Sequence, residues 1–356
     1  MKGLINKILF GIKKISVNQF PYDIEIIAEN LDVPWALDIS DSGTIYVTER
    51  TGSIRIIENG RLLLQPLIRL HSPFVSTGEG GLMGLVLDLN FSENHYMYVM
   101  HTYEESDQLY NRVIRLVVNN LSARVDTTLL DRIPGGRIHN GGRIKIGHDN
   151  KLYITTGDAG NSLLSQDVNS LAGKLLRIEL DGSIPEDNPY PNSPIYCIGL
   201  RNPQGLAWNS NNILYATDHG SSAHDEINLI LPGANYGWPL VQGNESSNEI
   251  NAEIPIIQSG EETWAPSGLA FANDGPWQGS LVAACLRGEQ LLKAELNGNG
   301  RRILNTNEQL KNQYGRLRDI IQAKDGSIYI STSNMDGRGS MLSGGDKIIR
   351  LIPNVQ

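Results

Sequence analysis

One phrase recurs six times along this chain, and that recurrence narrows the available folds more than any other feature. Each unit is a turn, a short run of β-branched and aromatic residues, and a second apolar run often opened or interrupted by a basic residue. The first reads Ser42-Gly43-Thr44-Ile45-Tyr46-Val47, followed by Gly52-Ser53-Ile54-Arg55-Ile56-Ile57. The phrase returns at 95–99 with 112–117, 151–155 with 174–178, 213–217 with 226–230, 280–284 with 290–294, and 327–331 with 347–351. With Tyr46, Tyr98, Tyr153, Tyr215, Val282 and Tyr329 as markers, the spacings are 52, 55, 62, 67 and 47 residues. Runs of this kind bounded by Gly, Asp, Asn and Ser read as strands and their turns, and helical spacing is nearly absent. Repetition at this period predicts an all-β fold, a six-bladed β-propeller of four-stranded antiparallel blades. A large β-sandwich or two barrels is the alternative.

Composition agrees. Thirty-seven glycines and 16 prolines among 356 residues require many tight turns, which excludes a helical bundle or coiled coil. Forty per cent hydrophobic residues suffice for a large core. No Gly/Ser linker or charge run marks a boundary, so residues 21–356 are expected to form one propeller domain. Residues 1–20, basic and partly apolar, read as an N-terminal tail or a degenerate signal segment. Lys7 and the Lys13-Lys14 pair interrupt that stretch, and no small-x-small cleavage site follows closely.

Thirty Lys+Arg against 39 Asp+Glu leave a net charge of −9, which speaks against a nucleic-acid partner and for a small molecule. No apolar run approaches the ~18 residues that span a bilayer, so no stable membrane insertion is expected. The two cysteines, Cys197 and Cys285, are too few for a disulfide framework or a four-thiolate zinc site; two separate buried thiols are expected, with a single bridge between them as the alternative.

A propeller places its site at one mouth of the central channel. The longer spacings point to loops within 156–208 and 218–265. His139, in Gly135-Gly136-Arg137-Ile138-His139-Asn140-Gly141-Gly142-Arg143, is the side chain best poised to take a proton near neutrality, and its glycines permit close backbone approach. Arg201-Asn202-Pro203-Gln204-Gly205 is a constrained polar loop. The stretch 218–226, Asp-His-Gly-Ser-Ser-Ala-His-Asp-Glu, is densest in oxygen and imidazole ligands of the kind calcium takes, without EF-hand or zinc spacing. In Arg316-Leu317-Arg318, strand alternation puts both guanidiniums on one face, as a polycarboxylate or phosphate ligand requires, and Arg287 is a third such cation. Trp35 and Trp264 are either stacking platforms or blade packing, with packing favoured for Trp35.

Taken in order, these segments resemble the soluble quinoprotein sugar dehydrogenases of the glucose/sorbosone dehydrogenase family, within it the aldose sugar dehydrogenases. The resemblance runs from Pro34 to Leu351. It rests on Val33-Pro34-Trp35, Gly78-Glu79-Gly80-Gly81-Leu82, His139-Asn140-Gly141-Gly142-Arg143, Thr156-Gly157-Asp158-Ala159 and Leu200-Arg201-Asn202-Pro203-Gln204-Gly205. It continues in Asp225-Glu226-Ile227-Asn228, Asn235-Tyr236-Gly237-Trp238-Pro239, Ala265-Pro266-Ser267-Gly268 and Arg316-Leu317-Arg318-Asp319.

The resemblance implies pyrroloquinoline quinone (PQQ) with calcium (Ca2+), oxidising the anomeric carbon of an aldose to a lactone with hydride transfer to the quinone, and passing electrons on to an external acceptor. His139 would be the base, Arg201 would stabilise charge on the quinone oxygen, and Asn202 and His219 would contact the cofactor. Arg287, Arg316 and Arg318 would pair with its carboxylates, and Glu79 would face the sugar. Gly220 and Ser221 match a Gly-Pro pair whose carbonyls hold the calcium; serine keeps the carbonyl but not the fixed φ. Glu226 and the region of Tyr236 would hold a second, structural calcium. The family usually works outside the cytoplasm, whereas residues 1–20 make a poor secretory signal, so extracytoplasmic and cytoplasmic locations both stay open, as do monomer and homodimer. Two rival readings are a calcium-dependent propeller lactonase, which needs convergent carboxylate ligands at the mouth, and a non-catalytic sugar-binding propeller.

Overall fold

The computed structural model describes residues 20–354, so the expected N-terminal tail or signal segment lies, but for Phe20, outside the described residues. The described chain is almost entirely strand and turn, arranged as six antiparallel sheets. One edge strand of each sheet, Pro34–Ile39, Leu82–Leu87, Ile144–Ile146, Pro203–Trp208, Pro266–Phe271 and Leu317–Gln322 in turn, is the inner strand of blades I to VI. Adjacent blades pack on one another around the ring, and blade VI meets blade I through Leu317–Gln322 and Pro34–Ile39. Blade VI is closed by the N-terminal strand Tyr22–Leu31, which pairs with Asp346–Pro353 from Tyr22 opposite Pro353 to Leu31 opposite Asp346. The expected propeller is therefore the observed one. Blade I adds a detail: two short outer segments, Arg61–Leu62 and Ile68–Arg69, both pair with Ser53–Glu58 and make a five-stranded sheet.

The sequence repeat marks the second and third strands of each blade. Sandwiched between neighbouring blades, these strands lose water on both faces, so they read as continuous apolar runs. Leu152–Thr156 and Lys174–Ile178, for example, are buried at every position. The hydrophobic clusters lie between blades: one joins Trp35, Ile54, Leu82, Met97, Ile144 and Leu176 across blades I to III. Cys197 and Cys285 are free and fully buried in blades III and V, as expected.

Five of the six inner strands carry a register shift against the second strand, between Pro34 and Ala36, Leu82 and Leu85, Pro203 and Gly205, Pro266 and Leu269, and Leu317 and Asp319. A bulge bends the strand and re-aims the side chains beside it. All five sit where the chain enters the inner strand, at the end of the channel where the second strands finish. That end carries the site.

Candidate active site

A cavity of about 860 Å³ opens at this mouth and draws its lining from the loops around the ring. Of the residues singled out from sequence, Glu79, His139, Arg201, Asn202, His219, Gly220, Ser221, Arg287, Arg316 and Arg318 all line it. Glu226 and Tyr236 do not. The Glu226 carboxylate is buried and accepts hydrogen bonds from Asn228 Nδ2 (2.9 Å) and the Gly243 amide (2.8 Å), and burial pushes its pKa up to about 7. The Tyr236 hydroxyl donates to the Leu229 carbonyl (2.8 Å) and accepts from the Leu231 amide (2.9 Å), so its side chain is committed within the fold.

His139 is held by its backbone and by its ring. Its φ of 55° is left-handed, unusual for a residue with a Cβ and held by its surroundings. The His139 amide donates to Glu79 Oε2 (2.9 Å), and its carbonyl accepts from the Ala159 amide (3.0 Å). Two glycines make the packing possible. A Cβ on Gly157 would stand 2.0 Å from the His139 oxygen, and one on Gly78 would stand 2.0 Å from the Arg137 oxygen. The ring Nδ1–H donates to Asp158 Oδ1 at 2.7 Å. Asp158, 2% exposed at its side chain, also accepts from the Gly160 amide on Oδ1 (2.8 Å) and from Trp238 Nε1 on Oδ2 (2.9 Å). Burial works to raise the Asp158 pKa, but the His139 contact and these hydrogen bonds outweigh it and hold the carboxyl below its usual range. An ionised Asp158 fixes the proton on Nδ1 and leaves Nε2 as a lone pair.

Arg201 and Asn202 lead directly into the inner strand of blade IV. Their amides donate to the two oxygens of Asp218, at 2.9 and 2.7 Å, at the end of the adjacent strand. The Trp238 ring lies 5.2 Å from the Arg201 guanidinium, so one indole supports both Asp158 and Arg201. Asn202 Oδ1 accepts from the Gly141 amide (3.0 Å), tying this strand to the His139 loop. His219 Nε2–H donates to the Pro266 carbonyl (3.1 Å); burial, then the charges of Arg201, Arg318 and His139, push its pKa down to about 3, so it is neutral.

Arg316 and Arg318 do present their guanidiniums on one side, and both reach the same carboxylate oxygen. Asp336 Oδ2 accepts from Arg316 Nη2 (2.8 Å) and Nε (3.0 Å), with Arg318 Nη2 at 3.5 Å. Arg318 also donates to Gln204 Oε1 (2.9 Å), and burial pulls its pKa down to about 9. Trp35, 2% exposed, lies beneath with its ring 4.4 Å from the Arg143 guanidinium and 5.7 Å from that of Arg318. Trp264 belongs to the blade IV–V hydrophobic cluster and does not line the cavity.

The sequence reading did not single out Arg50, Arg137, Arg338 and Asp336, which also line the cavity, or Asp158 and Trp238, which back it. With them the lining holds seven arginines against four carboxylates, Glu79, Asp225, Glu289 and Asp336. A chain of net charge −9 thus gathers positive charge at one mouth. The buried Nε atoms of Arg50 and Arg201 have no partner among the described residues. This donor set fits a ligand with several carboxylates. Among the described residues no group of three or more His, Cys, Asp or Glu side chains is arranged to hold a metal. A cation held by the backbone carbonyls of Gly220 and Ser221 would not need one.

The Glucose / Sorbosone dehydrogenase family model matches residues 31–349. The aldose sugar dehydrogenase of Streptomyces coelicolor, solved in its PQQ-bound form, is 35% identical, with a TM-score of 0.85 over 93% of this chain and 98% of its own. The aldose sugar dehydrogenase YliI of Escherichia coli (strain K12) is 29% identical over 341 residues, covering 88% of this chain and 91% of its own. The quinoprotein glucose dehydrogenase B of Acinetobacter calcoaceticus is 34% identical over 254 residues, covering 62% of this chain and 53% of its own. With a six-bladed propeller, a histidine–aspartate pair at its mouth and a family match over most of its length, the chain belongs to the glucose/sorbosone dehydrogenase family of oxidoreductases.

Proposed function

We propose that this protein is a PQQ- and calcium-dependent aldose sugar dehydrogenase that oxidises the anomeric carbon of an aldose to the lactone. The observation that carries the reading is His139, tied at Nδ1 to a buried carboxylate, in a cavity lined by seven arginines. PQQ, when bound, would supply the acceptor for the hydride that leaves the anomeric carbon, and calcium beside it a Lewis acid. Arg316, Arg318 and Arg287 would hold the cofactor's carboxylates, with Asn202 and His219 in contact with it. Arg201, braced by Trp238 and Asp218, would counter negative charge at a quinone oxygen. The carbonyls of Gly220 and Ser221 would hold the calcium, and the region of Glu226 and Tyr236 a second, structural one.

His139 Nε2 takes the proton of the anomeric hydroxyl. Asp158 keeps the lone pair on that nitrogen and stabilises the imidazolium that forms. Glu79, whose Oε2 fixes the His139 backbone, faces the sugar hydroxyls. Residues 21–356 act as one propeller domain. The excess of guanidinium over carboxylate in the lining supports an anionic cofactor over the carboxylate-rich metal centre that a lactonase needs.

The test is reconstitution. The purified chain, freed of cofactor, is given PQQ with and without calcium, and reduction of an artificial electron acceptor is followed with a panel of aldoses. Saturable, calcium-dependent turnover is expected. Failure to bind PQQ in the presence of calcium overturns the reading, and lactone hydrolysis is then the next assay. His139→Ala should keep PQQ binding and lose turnover; retained turnover removes His139 as the base.

A further inference from the structure

Asp336 is a carboxylate of the cavity that the proposed chemistry does not use, and the one that meets two lining arginines. Its side chain is 3% exposed, and it stands where the two most buried lining arginines converge. Oδ2 takes three guanidinium nitrogens, from Arg316 and Arg318, while Oδ1 accepts the Arg338 amide at 2.9 Å. The segment bearing it, Asn334 to Gly345, is fastened at both ends and crosses the rim between them. At one end the amides of Asn334 and Met335 donate to Asp346; at the other Lys347 donates to the Ser343 carbonyl (2.7 Å) and Asn30 to that of Gly344 (2.7 Å). In the middle, Arg338 is 61% exposed and reaches across to Glu79 Oε1 at 2.7 Å. Gly339 lies so close that a Cβ there would sit 2.7 Å from Arg316 Cδ. With Gly337, Gly339, Ser340, Ser343, Gly344 and Gly345, the strap has few side chains to anchor it elsewhere.

Two arginines that fit ligand carboxylates are therefore already satisfied by a carboxylate of the chain itself. We propose that Asp336 is the resident anion of the arginine site, and that a carboxylate of the incoming ligand displaces it from Arg316 and Arg318. This rests on reading the cavity as the site of an anionic cofactor. Exchange of one carboxylate for another spares the guanidiniums from ever standing buried and unpaired. It also makes the site selective, since a ligand without carboxylates cannot replace Asp336. Because Arg338, two residues on, pairs with Glu79, entry of the ligand also loosens the pair that flanks the His139 backbone.

The experiment uses the full chain, Asp336→Asn and Asp336→Ser, titrated calorimetrically with PQQ and with citrate, a simple tricarboxylate, with hydrogen exchange of residues 335–338 measured in the wild type. Both neutral variants are expected to bind each anion roughly tenfold or more tightly, the scale of one charge-assisted hydrogen bond. Exchange at 335–338 is expected to speed up when citrate saturates the wild type. Unchanged or weaker binding by folded variants, or exchange that slows or does not change, overturns the proposal, as does absence of binding of either anion to all three proteins. Where the variants do not fold, the wild-type exchange decides. Citrate binding without PQQ binding refutes the quinoprotein reading and leaves Asp336 to be judged on citrate.

Discussion

Replacing Asp158 by asparagine tests the coupling between the buried carboxylate and the base, and its size can be worked from three contacts. Asp158 faces donors on both oxygens: His139 Nδ1–H and the Gly160 amide on one, the Trp238 indole N–H on the other. An asparagine offers one acceptor oxygen and one donor amide. With its oxygen toward His139, its NH2 meets the Trp238 N–H. With its oxygen toward Trp238, its NH2 meets His139 Nδ1 and forces the proton onto Nε2, the nitrogen needed as base. The first arrangement leaves buried donors unpaired, worth about 1–3 kcal/mol; the second abolishes the reactive tautomer. Turnover should fall by about 10- to 100-fold or more on that scale. Asp158 does not line the cavity, so PQQ affinity should stay within about threefold. The assay is steady-state acceptor reduction beside calorimetric PQQ titration. Turnover within a few-fold of wild type, or a loss confined to cofactor affinity, would refute the argument.

Three further outcomes are expected. Gly157→Ala places a Cβ 2.0 Å from the His139 carbonyl oxygen, so it should displace the base loop, costing roughly 1–3 kcal/mol in chemical denaturation with a drop in turnover; a neutral substitution would show that the close approach is dispensable. His101 accepts from Arg112 Nε (3.0 Å), and burial, the largest cause, pushes its pKa down to about 4. The folded state resists protonating it, so stability is whole above about pH 6.5 and is lost as pH falls toward 4, by up to about 3 kcal/mol; His101→Gln should flatten that fall between pH 7 and 4.5, and an unchanged fall would remove His101 as its source. Burial pushes the Cys197 thiol up to about 12 and the Cys285 thiol higher still, so neither should react with Ellman's reagent until the protein is unfolded, when both should.

The architecture was legible because the buried second and third strands of every blade repeat, and the inner strands announce themselves only through the loops that lead into them. Pro34, Arg201-Asn202, Ala265-Pro266 and Arg316 each stand at such an entry. Part of what sequence missed lies at the other half of the same junction, just past the second strand. Counting four or five residues beyond four of the six repeat markers gives Arg50 after Tyr46, Asp158 after Tyr153, His219 after Tyr215 and Arg287 after Val282. Aligning the repeats on these offsets would have found Arg50 and Asp158. Asp336, seven beyond Tyr329, and Trp238, inside a long insertion, carry no such signal. Their partners are 18 to 80 residues away, and only the closed ring brings them together.

That junction also explains why so acidic a chain has a cationic mouth. An antiparallel blade puts the start of its inner strand and the end of its second strand at one end of the channel, and six blades converge those ends on one cavity. A basic residue at either position in several blades accumulates charge there, whatever the rest of the surface carries. The fold holds this concentration because several of the guanidiniums rest on something fixed: Arg201 on the Trp238 ring, Arg318 on Gln204, Arg316 on Asp336. Arg137 and Arg287 also line the cavity, in the loops entering blade III and leaving the second strand of blade V, and neither forms an ion pair among the described residues. Neutralising Arg287 should therefore weaken anion binding and its dependence on salt together, whereas neutralising Arg143, 1% exposed and paired with Asp319 at 2.9 Å, should act on stability.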